Sequence, residues 1–544
     1  MRRYILMTVA LLVACVALFA AGSAEPAATA ADRVMPTPPG TLPIVNERVT
    51  FTAFTMARPW SDDYSYSGNE FTRLVAEATN VHFEWTVAPA AEATTRLNLL
   101  MASRDYPEIL MGVPISMSQL GLYAAEGIVP PIDELIDGYT IHAKRMFEEY
   151  PYLRDQALID GRIHNFSEIN ECYHCAVARK MWINVQWLEN LGLDMPQTTA
   201  EFHQVLLAFK TQDPNGNGMA DEVPLAGAIS GYNPQLDHFL VNSFIQYNPD
   251  RVNVVNGRLV PVVIQPGFRE AIRYIRRLYA DGLIAPESFT QDDTLFRALA
   301  ENPSANLLGA APNGGLHRIT TIGGPSGRWQ EFATLPPLAG PDGVRRTSYN
   351  LPITWNVKAV LTDRNRNPEV AARFMDLMYE DQWILEQIWG REGTAWRWAE
   401  PGEIGINGKP ALYAALISWG QQRPNTTWNQ VAPTYRTSDH RLGQTKPETA
   451  DLEVILFEGS QPYYEYIPDE SAVLPPLLID ASVAAEYTEL GTVINEYVNE
   501  MFARFVTGDA NIETQWDQYV RELENIGIGR WIQIAQDAYD QKYK

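Results

Sequence analysis

The stretch from residue 48 to residue 111 constrains the fold most. Residues 48–55 and 81–87 alternate apolar and polar side chains, the two-residue period of a strand. Between them Phe71, Leu74, Val75 and Ala78 recur at helical spacing within residues 69–79. Residues 91–102 read as a second helix and 108–111 as a short buried strand. A β-α-β-α-β order implies a mostly parallel sheet with helices on its faces. Ligands of such sheets sit beyond the carboxyl ends of the strands. The loop of residues 56–68, with Arg58, Trp60, Asp62 and Tyr64, is therefore an expected site.

The rest of the chain continues the mixture. Residues 182–187 lead into Leu188 and a helix end at Gly192, and Thr198 or Thr199 caps a helix through Lys210, with Glu201 placed for a capping box. Residues 266–280 form a strong amphipathic helix carrying Ile272, Ile275 and Leu278. Residues 306–311 read as a buried strand ending at Pro312, Asn313 and two glycines, and residues 368–379 and 486–506 as long helices. With 544 residues the chain exceeds one compact core, so two or more lobes are expected.

Arg2 and Arg3 precede an apolar run over residues 5–21 and a small, Ala/Pro-rich stretch, the order of a secretory signal rather than of a membrane anchor. Leu12-Val13-Ala14-Cys15 also reads as a lipobox, which would acylate Cys15; a conventional cut near residues 20–24 explains the apolar run past Cys15 equally well. A net charge of −24 repels nucleic acid and anionic lipid, so neither is an expected partner, and a lipid anchor at Cys15 would be the sole link to a membrane. Cys172 and Cys175 remain in the mature part. A local disulfide, two free thiols and a metal site completed by His174 all stay open.

The most specific motif runs from Asp213 to Glu222. Asp213, Asn215, Asn217 and Asp221 put oxygen side chains at positions one, three, five and nine, with Gly218 at six and the Met219 carbonyl at seven. That alternation wraps a hard cation. An EF-hand would have a glutamate at position twelve, where Pro224 stands, so Glu222 at position ten must replace it. The competing reading is a solvated Asn-Gly turn. Structural Ca2+ is the expectation.

Nucleophile elbows, zinc-protease helices, Walker loops and dinucleotide fingerprints do not occur. Other stretches resemble family 1 extracellular solute-binding proteins, especially the large lipoprotein and alginate-binding branch. They include residues 97–103 with Pro107-Glu108-Ile109, residues 171–175 followed by 180–184, Leu191-Gly192-Leu193 with Pro196, and the 213–222 loop. Residues 278–284 and 289–292, Asn367-Pro368-Glu369, and 390–393 leading to Trp396 continue the match.

The resemblance implies a type II-like periplasmic-binding-protein fold. Two α/β lobes joined by several crossing segments close on a ligand carried to an ABC permease. It implies an exported monomer in the periplasm or on the outer face of the cytoplasmic membrane, with no catalysis. The expected division is a signal peptide at 1–22, a flexible tether at 23–44, one lobe from 45–168 and 301–355, and a second from 169–300 and 356–544 with C-terminal helices. An oligosaccharide is the expected ligand; a peptide or other polar nutrient, or a secreted polysaccharide-degrading enzyme, are the alternatives. The expected cleft residues are Trp60, Tyr64, Tyr173, His174, Asn313, Trp355, Glu392 and Trp396, with tryptophan stacking on sugar faces and polar groups bonding hydroxyls.

Overall fold

A computed structural model describes residues 33–351, 355–419, 422–447, 451–480 and 482–544. In chain order the strands that matter are β1 (Val49–Met56), β2 (Val81–Ala88), β3 (Ile109–Met111), β4 (Phe166–Asn170), β5 (Met181–Asn184), β6 (Val223–Leu225), β7 (Leu308–Pro312), β8 (Phe332–Leu335), β9 (Trp355–Leu361) and β10 (Tyr435–Arg436). They form two main sheets. One is six-stranded in the order β10-β4-β9-β3-β1-β2, the other four-stranded in the order β8-β5-β7-β6. The opening alternation behaves as the sequence predicts: β1 pairs in parallel with both β2 and β3. β9 then runs antiparallel between β3 and β4, and β5 antiparallel between β7 and β8.

Local chemistry sets the helix ends. α1 (Glu70–Thr79) starts where the Asn69 side chain accepts from Thr72 N, and it buries Phe71 and Val75. α2 (Thr199–Thr211) carries the full capping box between Thr198 and Glu201. α3 (Pro266–Ala280) begins with proline, where a missing N–H costs nothing, and buries Phe268, Ala271, Ile272, Ile275 and Leu278 along one stripe. The long C-terminal helix α4 (Ala484–Thr507) packs on α3 and brings Val498, Met501 and Phe505 into the same core. Among the described residues no helix is long and apolar enough to cross a membrane.

Strand pairing corrects the expected division of the chain. Residues 301–355 were assigned to the first lobe. Instead β7 sits between β5 and β6, and Leu335, Leu338 and Tyr349 pack in the core of the four-stranded unit. Residues 356–436 were assigned to the second lobe, yet β9 and β10 lie in the six-stranded sheet, and Trp383, Trp396 and Trp428 fill its core. Periodicity identifies a strand but not its partner, because pairing is a nonlocal choice.

The tether is corrected in its second half. Ile44 and Val45 are fully buried, Val34 N donates to the Asn367 side chain (2.9 Å), and Arg373 donates to the Pro38 and Thr41 carbonyls. Residues 33–44 are thus laid along the six-stranded unit. The signal peptide, the first part of the tether and Cys15 lie outside the described residues.

The chain changes unit between β4 and β5, between β8 and β9, and between β10 and the helix Leu452–Tyr464, the last two with residues 352–354 and 448–450 outside the described ones. These crossings are bonded to one another. Glu171 N donates to the Arg436 carbonyl and Ser438 N to the Glu171 carboxylate; Asn350 N donates to the Ala176 carbonyl. The hinge of several crossing segments is present, as the resemblance implies.

A candidate binding cleft at the ends of the parallel strands

The carboxyl ends of β1 and β3 open onto a cavity of about 570 Å³. The loop after β1 supplies Arg58 and Trp60, and the loop after β3 supplies Gly112 and Ile115. Glu168 of β4 with Asn356 and Lys358 of β9 form the floor, and Trp419, Asn429 and Gln430 come from the chain before β10. Gly112 has φ +66°, and a Cβ there would meet the Val431 carbonyl at 2.9 Å, so only glycine fits this turn.

Three other wall residues hold a conformation that side chains other than glycine's rarely adopt: Trp60 (φ 62°), Asn429 (φ 44°) and Gln430 (φ 64°). Each costs on the order of 1–3 kcal/mol and persists only when its surroundings fix it. Here they do. Asn425 N donates to the Trp60 carbonyl (2.6 Å), the Asn429 amide donates to the Pro59 carbonyl (2.7 Å), and the Asn170 amide donates to Gln430 Oε1 (3.0 Å). The Trp60 and Trp419 rings stand at 89° with centroids 6.1 Å apart, and Trp389 backs Trp419 at 86°. Two indole faces are therefore presented rigidly to one space.

The polar floor is preorganised as well. Lys358 Nζ lies 2.9 Å from Glu168 Oε2, both nearly buried, and Asn356 and Thr434 donate to the same carboxylate. Arg58 donates one guanidinium N–H to the Gly112 carbonyl (3.0 Å), while its buried Nε–H has no protein partner. Glu168 is the one carboxylate among the cavity's lining residues, and it is fully engaged.

The expected cleft residues divide. Trp60 lines the cavity. Tyr64 is fully buried beneath the loop, its hydroxyl donating to the Ser61 (3.0 Å) and Met56 (3.3 Å) carbonyls. Trp396 is fully buried too, in the short antiparallel pair Trp396–Trp398 with Tyr413–Ala415, and its indole N–H donates to the Gly390 carbonyl (2.8 Å). Glu392 is exposed near Glu386 and Arg391, away from this cavity. Asn313 is buried in the four-stranded unit, donating to Asp293 and accepting from Gly315 N. Tyr173 and His174 are buried in the hinge, where the Tyr173 hydroxyl donates to Glu453. Trp355 opens β9 opposite Ile169, and its side chain lies outside the described residues. The corrections share one cause: sequence position near a strand end does not say which way a side chain points. Glu168, Asn356, Lys358, Trp419, Asn429 and Gln430 also line the cavity and carry no local sequence signal that singles them out.

No family model matches the chain. The fructooligosaccharide ABC transporter substrate-binding protein FusA of Streptococcus pneumoniae serotype 4 is 28% identical over 526 residues, 92% of either chain. The solved structure of FusA in complex with kestose superposes with a TM-score of 0.76 at 26% identity, covering 91% of this chain and 99% of that one. Over nearly its whole length the chain is thus similar to a substrate-binding protein of an ABC transporter. It shares its fold with an HMO-binding ABC-transporter-associated solute-binding protein of Bifidobacterium longum infantis (TM-score 0.76, 19% identity, 91% and 99% covered). It is also 19% identical over 481 residues to the polygalacturonan/rhamnogalacturonan-binding protein YtcQ of Bacillus subtilis, covering 86% and 87% of the two chains.

The 213–222 loop follows α2 as a tight turn. Gly218 N donates to Asp213 Oδ2, Asn217 N to Asn215 Oδ1, and Met219 N to Asn217 Oδ1; the Asn215 and Asn217 amides both turn to Asp221. The Met219 side chain is exposed, leaving its carbonyl as the donor to an ion. Glu222 Oε1 is buried with no partner, and burial, with Asp213 and Asp221 facing it, pushes its carboxyl up. An orphaned acid beside two others fits a divalent cation. A solved FusA structure is described as an EF-hand mutant in complex with fructo-nystose.

Cys172 and Cys175 are joined as a disulfide, so neither is a free thiol and neither offers a thiolate to a metal.

Proposed function

We propose that the protein captures an oligosaccharide against the Trp60–Trp419 wall, between its two units, and hands it unchanged to an ABC permease. The observation that carries this reading is the cost of the wall. Trp60, Asn429 and Gln430 all hold left-handed backbone around one cavity, and strain of that kind is retained where a site needs it. Crossed indoles offer flat apolar faces to sugar C–H groups, while Arg58, Lys358, Asn356 and Asn429 offer fixed donors to hydroxyl oxygens. The identity to FusA over nearly the whole chain supports the same ligand class.

The protein works as a monomer in the periplasm or on the outer face of the cytoplasmic membrane. Asp213, Asn215, Asn217, the Met219 carbonyl, Asp221 and Glu222 hold a structural Ca2+. Acylation at Cys15 would tether the chain; mass spectrometry of the mature N-terminus decides it, and an unmodified residue from 21 to 25 there ends the lipoprotein reading.

Calorimetric titration with kestose, a galacturonan oligomer and a peptide library tests the function. Binding of a glycan with no product on chromatography is expected. Binding of peptide alone, or appearance of shortened glycans, overturns it.

A further inference from the structure

We propose that the Cys172–Cys175 disulfide is an exchange site for small thiols, set where the crossing segments of the hinge meet. The four-residue turn lies on the first crossing. The second crossing is bonded to it through Asn350, whose N–H donates to the Ala176 carbonyl (2.9 Å) and whose amide donates to the Cys175 carbonyl (3.4 Å). The third reaches it through Arg441, which lies 3.4 Å from His174 Nε2 and donates to Asn170. Tyr232, from the four-stranded unit, sits 3.5 Å from Cys175 Sγ.

The pair is reachable. Both cysteines line a cavity of about 480 Å³, with Leu351, Pro475, Leu477 and Tyr487 on the facing wall. Cys175 is partly exposed, whereas Cys172 is buried. An incoming thiolate therefore meets Cys175 Sγ first.

The surroundings suit the sulfur that leaves. His174 places Nε2 3.3 Å from Cys172 Sγ and Nδ1 3.9 Å from Cys175 Sγ. Burial, with Arg441 and Lys180 beside it, keeps the ring neutral. The Arg441 guanidinium lies 3.4 Å from the same Nε2, so its charge stands on the Cys172 side of the ring. When a thiolate bonds to Cys175 Sγ, the S–S bond breaks and its electron pair goes to Cys172 Sγ. That thiolate forms beside a ring backed by Arg441 and by Lys180, which is 3.0 Å from the His174 carbonyl. Nearby cations favour a thiolate and speed its departure. A second thiolate then attacks the mixed disulfide. Two small thiols are oxidised to one disulfide, and the protein pair takes two protons from solvent. The freed turn no longer pins the first crossing to the other two.

The test incubates the folded full chain with free cysteine at neutral pH, traps thiols by alkylation and maps them by mass spectrometry. Expected are a cysteine adduct at Cys175, then alkylation of both residues, with faster deuterium exchange in residues 170–180. Arg441→Gln should slow the reaction about tenfold, and Arg441→Lys should restore most of the rate. Reduction only in denaturant overturns the proposal, as does an Arg441→Gln rate equal to the natural protein's. The comparison of folded with denatured natural protein requires no variant, so it decides even where Arg441→Gln fails to fold.

Discussion

Trp396 is completely buried and its indole N–H is taken by the Gly390 carbonyl, so removing it opens a cavity in a core and not a gap in a binding site. Trp396→Ala is expected to lower stability by about 3–5 kcal/mol, read as a drop in Tm, while the folded fraction keeps its ligand affinity. Trp60→Ala should do the reverse. It relieves no core contact, yet it removes one of two platforms, and calorimetry with the bound glycan should show a loss of about 2 kcal/mol, near thirtyfold in Kd. An affinity unchanged within threefold in folded Trp60→Ala removes it from the site.

Glu386 gives a pH signature at the same scale. Burial pushes its carboxyl up to about 7 from the ordinary 4.5, and only one of its oxygens has a partner, Glu392 N. The folded state then binds more protons than the unfolded state between those values, so this group's contribution to stability is greatest below pH 4.5 and is lost as pH rises toward 7. Glu386→Gln should flatten that fall; denaturant titrations at pH 5 and pH 7 compare the two, and parallel slopes would refute the assignment.

At the level of elements, the loop after α2 was readable in advance because its signal is local. Alternate oxygens around Gly216 and Gly218, both with positive φ, define a turn whatever surrounds it. Chelation is expected to lower Tm, since an ion bound only to the folded state contributes about 2.7 kcal/mol at a hundredfold excess over Kd. Glycan binding should persist, because the loop does not line the cleft cavity. An unchanged melting curve with chelator would count against the ion. The capping box of Thr198 and Glu201 was equally legible; Thr198→Ala should cost about 1 kcal/mol by chemical denaturation.

For the whole molecule, the two units are joined by the crossings and the bonds between them, with a further contact from the Ser118 hydroxyl to the Ile479 carbonyl (3.3 Å), so closing on a ligand is expected to turn the chain near residues 170–180, 335–351 and 436–447 and to leave both cores intact. Saturating glycan is expected to reduce the radius of gyration in small-angle scattering. An identical profile with and without ligand, at a concentration where calorimetry shows binding, would rule out the hinge motion.

The sequence alone determined what rests on neighbours along the chain. That covers the parallel β-α-β-α-β opening, the helix caps, the Asp213–Glu222 turn and, through the order of its motifs, the two-unit class. Trp60 was within reach because a loop that leaves the carboxyl end of β1 must approach the cleft. Tertiary structure decided the rest. It placed β7 between β5 and β6 and returned β9 to the first sheet, because strands identical in pattern differ only in which edge accepts them. It also turned Tyr64 and Trp396 inward and Trp419, Glu168 and Lys358 toward one cavity. Burial and facing depend on segments hundreds of residues apart meeting, and no spacing within one segment records that meeting.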